Sequence, residues 1–175
     1  MSKKVAVLTV NPVNGAGLFQ YLEAFFENHI SYQTFAVAKT TQIRTNSGIR
    51  LQMDDVVANL QGRENEFDAL VFACGDAMPK FANNVDEQYY QDLLSVIEAF
   101  SNNGKILVGH CVAALLFDNL GIGKGKKVAL HPFVKAFLTG CIGTNEQVVI
   151  DGNMYTAQTE NSLPLLLPKL LEVLK

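Results

Sequence analysis

Short apolar runs alternate with amphipathic stretches along the whole chain. Val5 to Val10 reads as a buried strand, and Leu18 to Asn28 as a helix with Leu18, Leu22 and Phe25 on one face. Tyr32 to Ala38 reads as a second strand. Gln42 to Met53 holds two short alternating runs joined by Asn46-Ser47-Gly48, a hairpin pattern. Asp54 and Asp55 are placed to cap a short helix through Leu60. Ala69 to Ala73 is another buried strand, followed by Cys74-Gly75-Asp76. Asp86 to Asn103 reads as a long helix closed by Gly104. Ile106 to Val108 is a strand, and a helix follows it to about Asn119. Lys127 to Leu130 is strand-like and ends at His131-Pro132, with a short helix over Val134 to Thr139. Val148 to Ile150 and Met154 to Ala157 flank Asp151-Gly152, a hairpin turn signal. The last helix runs from near Ser162 to Leu174. Pro164 suits its first turn, whereas Pro168 implies a kink or a later start.

Strands alternating with helices predict an α/β fold, a doubly wound, mostly parallel sheet with helices on both faces. Sites in such folds lie outside the carboxyl ends of the strands. Three segments deliver chemistry to that edge: Cys74-Gly75-Asp76, Gly109-His110-Cys111 and His131-Pro132.

Bulk properties narrow the picture. The chain has 175 residues, 49% of them hydrophobic and 18% charged, which fits one globular domain over residues 1–175. A net charge of −3 argues against a nucleic-acid surface, and the one basic cluster, Lys124, Lys126 and Lys127, lies in a Gly-rich turn. Three irregularly spaced cysteines fit a reducing compartment, and no Cys/His spacing points to a metal. No apolar run approaches the roughly 18 residues of a membrane span. The N-terminal run is too short for a signal-peptide core, so a cytoplasmic location is expected. Asn14-Gly15-Ala16-Gly17 opens a helix after a strand, but Gln20 stands where a dinucleotide fingerprint needs its third glycine. No acid ends the second strand either, so no cofactor is expected.

Cys111 carries the sharpest signal. Ile106-Leu107-Val108 runs into Gly109-His110-Cys111, and an apolar helix follows with almost no loop. That spacing places the thiol on a strand-to-helix elbow, where nucleophiles sit in other hydrolases and where a helix N-terminus favours the thiolate. A small buried thiol without chemistry is the other reading of the same residue.

Val71-Phe72-Ala73-Cys74-Gly75, Val108-Gly109-His110-Cys111 and Gly125-Lys126-Lys127-Val128-Ala129-Leu130-His131-Pro132 together resemble the ThiJ/PfpI family. That family lies in the class I glutamine amidotransferase-like superfamily, with a flavodoxin-like fold. The likeness continues through Val148 to Ala157 and covers nearly the whole chain. It implies Cys111 as nucleophile, the N–H groups of Gly75 and Val112 as an oxyanion hole, and His131 as an acid/base. It also implies a small-molecule substrate and a homodimer.

The departures matter as well. The family places a glutamate in the first strand-to-helix loop, but Asn11 to Gly17 contains no carboxylate. Glu23 lies too far into the helix, and Asp76 and Glu160 read either as substitutes for that glutamate or as loop charges. The protease/amidase branch has His after the nucleophile, where this chain has Val112. His110 should point to the other side of the turn, as a structural or pocket-wall residue. Cys74 stands in place of the first glycine of the family's Gly-Gly pair, either as a redox partner of Cys111 or as an inert thiol. Cys141 carries no assigned role. Three functions stay open: a cysteine-nucleophile enzyme on small carbonyl or amide substrates, a redox-sensing stress protein, and a non-catalytic binding member.

Overall fold

A computed structural model of the chain describes residues 3–81 and 83–175. In chain order its strands and helices are β1 (Lys4–Val10), α1 (Gly15–Glu27), β2 (Ser31–Val37), β3 (Gln42–Arg44), β4 (Arg50–Gln52) and β5 (Asp55–Val56). Then come β6 (Ala69–Ala73), α2 (Met78–Phe81), α3 (Gln88–Asn102), β7 (Ile106–His110), α4 (Ala113–Asn119) and β8 (Lys127–Val128). The chain closes with β9 (Ile142–Gly143), β10 (Val148–Asp151), β11 (Met154–Ala157) and α5 (Leu163–Leu174).

Seven strands form one sheet in the order β10-β11-β7-β6-β1-β2-β5, all parallel except β10 against β11. Its central strands are continuous apolar runs, as a sheet covered on both faces demands: β6 is buried at every residue and β1 from Val5 onward. The connection from β1 through α1 steps one way across the sheet, and that from β6 through α3 steps the other. Right-handed crossovers therefore put α1 and α3 on opposite faces. Opposed steps from adjacent strands also create a crevice at the carboxyl ends of β1 and β6. The loops after β1, β6 and β7 all end there.

Helix limits follow local chemistry. Asn14 caps α1, its side chain accepting the Gly17 N–H at 2.8 Å. Gly104 ends the α3 segment in the left-handed region, φ +66°. Gly48 does the same in the turn between β3 and β4, as its sequence predicts.

Four local expectations are corrected. Asp54 does not cap a helix: its carboxylate accepts the N–H and hydroxyl of Thr34 in β2, and only a 3-10 turn, Val57–Leu60, follows. The strand from Lys127 stops at Val128, because the Ala129 N–H is taken by the Thr156 hydroxyl. The short helix after it is a 3-10 turn at Pro132–Phe137. Helix α5 spans Leu163–Leu174, as its outer limits predict, so what is corrected is the alternative of a later start near Pro168. Pro168 and Pro164 both face solvent, so water can satisfy the Pro164 carbonyl that loses its i+4 donor.

Candidate functional site

The elbow is tight because its flanking residues are small. Helix α4 leaves β7 so abruptly that a Cβ on Gly109 would lie 2.3 Å from the Ala113 Cβ. Cys111 sits between them at φ +59°, a left-handed conformation that costs a non-glycine residue on the order of 1 kcal/mol or more. Two backbone bonds hold it there. The Cys111 N–H donates to the Ala157 carbonyl of β11 at 3.2 Å, and its carbonyl accepts the His131 N–H at 2.8 Å. The side chain is half-buried.

Cys74 lies beside it. Strands β6 and β7 pair with Phe72 opposite Gly109, so two residues further on Cys74 stands opposite Cys111. Cys74 is buried and its thiol reaches the His110 carbonyl at 3.3 Å. Hydrogen bonding from the Cys74 thiol holds Cys111 below the ordinary thiol range against a burial penalty, and the Val112 N–H adds to it. The same bond, with burial, keeps Cys74 protonated far above that range. The Glu160 carboxylate, on the 3-10 turn after β11, opposes ionisation of Cys111.

Gly75 follows Cys74 where the first loop crosses. A Cβ there would lie 2.4 Å from the Pro12 carbonyl oxygen and 2.5 Å from the Asn14 nitrogen, so only glycine fits. The Asn14 N–H donates to the Cys74 carbonyl and the Ala77 N–H to that of Pro12, which fastens the loop to the end of β6. No protein acceptor takes the Gly75 N–H among the described residues.

His131 arrives beside Cys111 through its main chain. Its ring turns to its own 3-10 segment, Nδ1 accepting the Phe133 N–H at 3.3 Å, and no hydrogen bond joins the ring to Cys111. His110 points away from the thiol, as its place before the elbow predicts. It is 1% exposed, packed against α1, with Nδ1 3.3 Å from the Tyr21 hydroxyl and Nε2 without a partner. Burial pushes its pKa down to about 4, so the ring is neutral near pH 7. Gly17 is the counterpart: a Cβ there would meet the His110 Nε2 at 2.6 Å. The glycines of Asn14-Gly15-Ala16-Gly17 thus serve packing, Gly17 against His110 and Gly15 against Thr45. Sequence reasoning missed Gly17 and Tyr21, whose only signal is their i, i+4 spacing on one helix face.

Cys141 is remote from this edge. Its thiol donates to the Ile122 and Gly123 carbonyls, and burial beside Asp118 pushes it up to about 12. Lys126 is half-buried rather than a loop charge, its ammonium bonded to Asp151 and Asn153 at the β10–β11 turn. Among the described residues no group of three His, Cys, Asp or Glu is placed to hold a metal ion, and no helix is long and apolar enough to cross a membrane.

A groove of about 560 Å³ opens beside the sulfur. Gly75, Cys111 and Val112 form one wall, and Met78, Leu115 and Val134 are among the apolar side chains that continue it.

Comparison with known proteins agrees with this geometry. The chain is 58% identical to a protein named ppBat from Bacteroides thetaiotaomicron, over all 175 residues and the full length of both. A crystal structure from that organism, provisionally described as protease I, superposes with a TM-score of 0.98 at 58% identity over 99% of this chain and 100% of that one. Drosophila melanogaster DJ-1beta shares the fold at TM-score 0.84 and 18% identity, over 99% of this chain and 91% of that one. The model of the DJ-1/PfpI family matches residues 3–173, and the chain belongs to that family.

Proposed function

We propose that the chain is a single-domain enzyme using Cys111 as a nucleophile on small carbonyl or amide substrates. The observation that carries this is the left-handed Cys111, clamped by two backbone bonds and made more acidic by the Cys74 thiol. Lowering the thiol's pKa raises the fraction of thiolate, the form that adds to a carbonyl. The N–H of Val112 follows the nucleophile, and the unengaged N–H of Gly75 stands across from it. Both serve as donors for the oxyanion formed when sulfur attacks. His131 Nε2, the ring nitrogen not used by Phe133, is the proton-transfer candidate. The name protease I carried by a relative supports the hydrolytic form of this reading.

The test is alkylation of Cys111 across pH, followed by peptide mapping with Cys74 and Cys141 as controls. Cys111 should titrate below the roughly 8.5 of a free thiol, while neither control labels in the folded protein. Cys74→Ala should raise the Cys111 midpoint. Cys111→Ala should lose methylglyoxal or amide turnover while keeping the fold, and Cys141→Ala should retain it. Full turnover in Cys111→Ala would overturn the assignment.

The Cys74–Cys111 neighbourhood also favours a second reading, peroxide sensing. Peroxide would oxidise the Cys111 thiolate to a sulfenic acid. The Cys74 thiol would then displace hydroxide to form a disulfide. A mass loss of two hydrogens on peroxide treatment, absent in Cys74→Ala, separates this from turnover. The homodimer implied by the family is checked by sedimentation.

A further inference from the structure

The groove beside Cys111 is larger than a two- or three-carbon carbonyl compound needs. At about 560 Å³ it falls in the range of small-molecule sites, roughly 300–1,000 Å³. It is continuous with the reaction centre, because Cys111, Val112 and Gly75 are themselves part of its wall. Beyond them its lining is mostly aliphatic and aromatic: Met78 on α2, Tyr90 on α3, Leu115 and Leu116 on α4, and Val134 on the 3-10 turn after His131, with Asn119 at the end of α4 as an uncharged polar member. Among the described residues, the ionic side chain that lines it is Asp76, next to the oxyanion donor Gly75. A bound carboxylate or phosphate would face the Asp76 carboxylate there. An apolar group would shed water against five side chains.

We propose that the substrate of Cys111 carries a neutral apolar substituent, of about phenyl or isobutyl size, on the carbon next to the reacting carbonyl. Anionic α-oxo acids are rejected. This rests on the nucleophile reading above. The substituent lies along Leu115 and Val134 while the carbonyl carbon faces the sulfur and its oxygen faces Gly75 and Val112.

The test separates the groove from turnover. Rates of Cys111 labelling by iodoacetamide, iodoacetanilide and iodoacetate are each divided by the rate with glutathione. Iodoacetanilide should then be favoured about tenfold over iodoacetamide and should saturate, as partial burial of a phenyl ring would give. Iodoacetate should be disfavoured by a similar factor. Leu115→Lys, at a half-exposed position that tolerates the change, should abolish the anilide preference and relieve the penalty on iodoacetate. Asp76→Asn should relieve that penalty alone. Equal normalised rates for the three reagents would overturn the proposal whatever the enzyme turns over. Conversely, a clear anilide preference without turnover of phenylglyoxal would leave the groove and refute the enzyme reading. Binding of phenylacetamide, followed by NMR at the Met78 and Leu115 methyl groups, needs no thiol reactivity. Absence of shifts at millimolar ligand would equally overturn the proposal.

Discussion

His110 shows how one residue can tie pH to stability. Folding buries its ring and holds its pKa near 4, against about 6.5 when unfolded. Because the folded value is depressed, the folded state binds fewer protons between those limits. The protein is unaffected above pH 6.5 and loses stability as pH falls from there toward 4. The full loss is about 3 kcal/mol. Urea midpoints measured from pH 7.5 to 4 should show this slope, and His110→Asn should flatten it. An unchanged slope in the variant would assign the acid sensitivity elsewhere. The chemistry at Cys111 runs on its neighbour in the same way. The sequence displayed the elbow, through an apolar strand, a small residue, a thiol and an apolar helix. It did not display the lowering of the Cys111 pKa by the Cys74 thiol, whose place beside it is set only when β6 and β7 pair in one register.

Elements meet here through absent side chains. Helix α1 approaches β7 closely enough that Gly17 touches the His110 ring. Alanine elsewhere in a helix is favoured over glycine by about 1 kcal/mol, yet Gly17→Ala should lower stability by about 1–3 kcal/mol through overpacking. Shrinking the ring should reverse the sign. In His110→Ala the same substitution should be neutral or stabilising, and a double-mutant cycle in denaturant reads the coupling. Additive losses would mean that the contact is not what makes Gly17 necessary. Helix positions were legible because apolar periodicity and caps such as Gly104 act locally. The short elements were less so. Asp54 looked like a cap but serves Thr34, a partner from β2 twenty residues earlier, which local pattern cannot reveal. The Asp118 carboxylate likewise gathers the N–H groups of Thr139, Gly140 and Cys141 from a distant connection.

At the scale of the whole molecule, the sheet order sets both rigidity and the location of the site. Among the described residues, β1 and β6 are each paired on both sides, whereas β5 pairs only with β2 and β10 only with β11. Hydrogen exchange should therefore be slowest at the amides of β1 and β6 and faster at β5 and β10, since edges open locally at lower cost. Fast exchange in β1 would contradict the assigned order. The alternation of strands and helices made the layered architecture readable from the chain. The lateral order was not, because burial makes strands such as β1 and β6 chemically alike. The same contact between the Pro12–Asn14 loop and Gly75 has an evolutionary side. Two adjacent connections, after β1 and after β6, are fastened together at the edge where the elbow stands, and this chain has no acid in the first and a thiol in the second. A lineage can thus retune the sulfur by exchanging a single residue at either connection, leaving the scaffold untouched, so related proteins can diverge in acidity and oxidant sensitivity without diverging in shape.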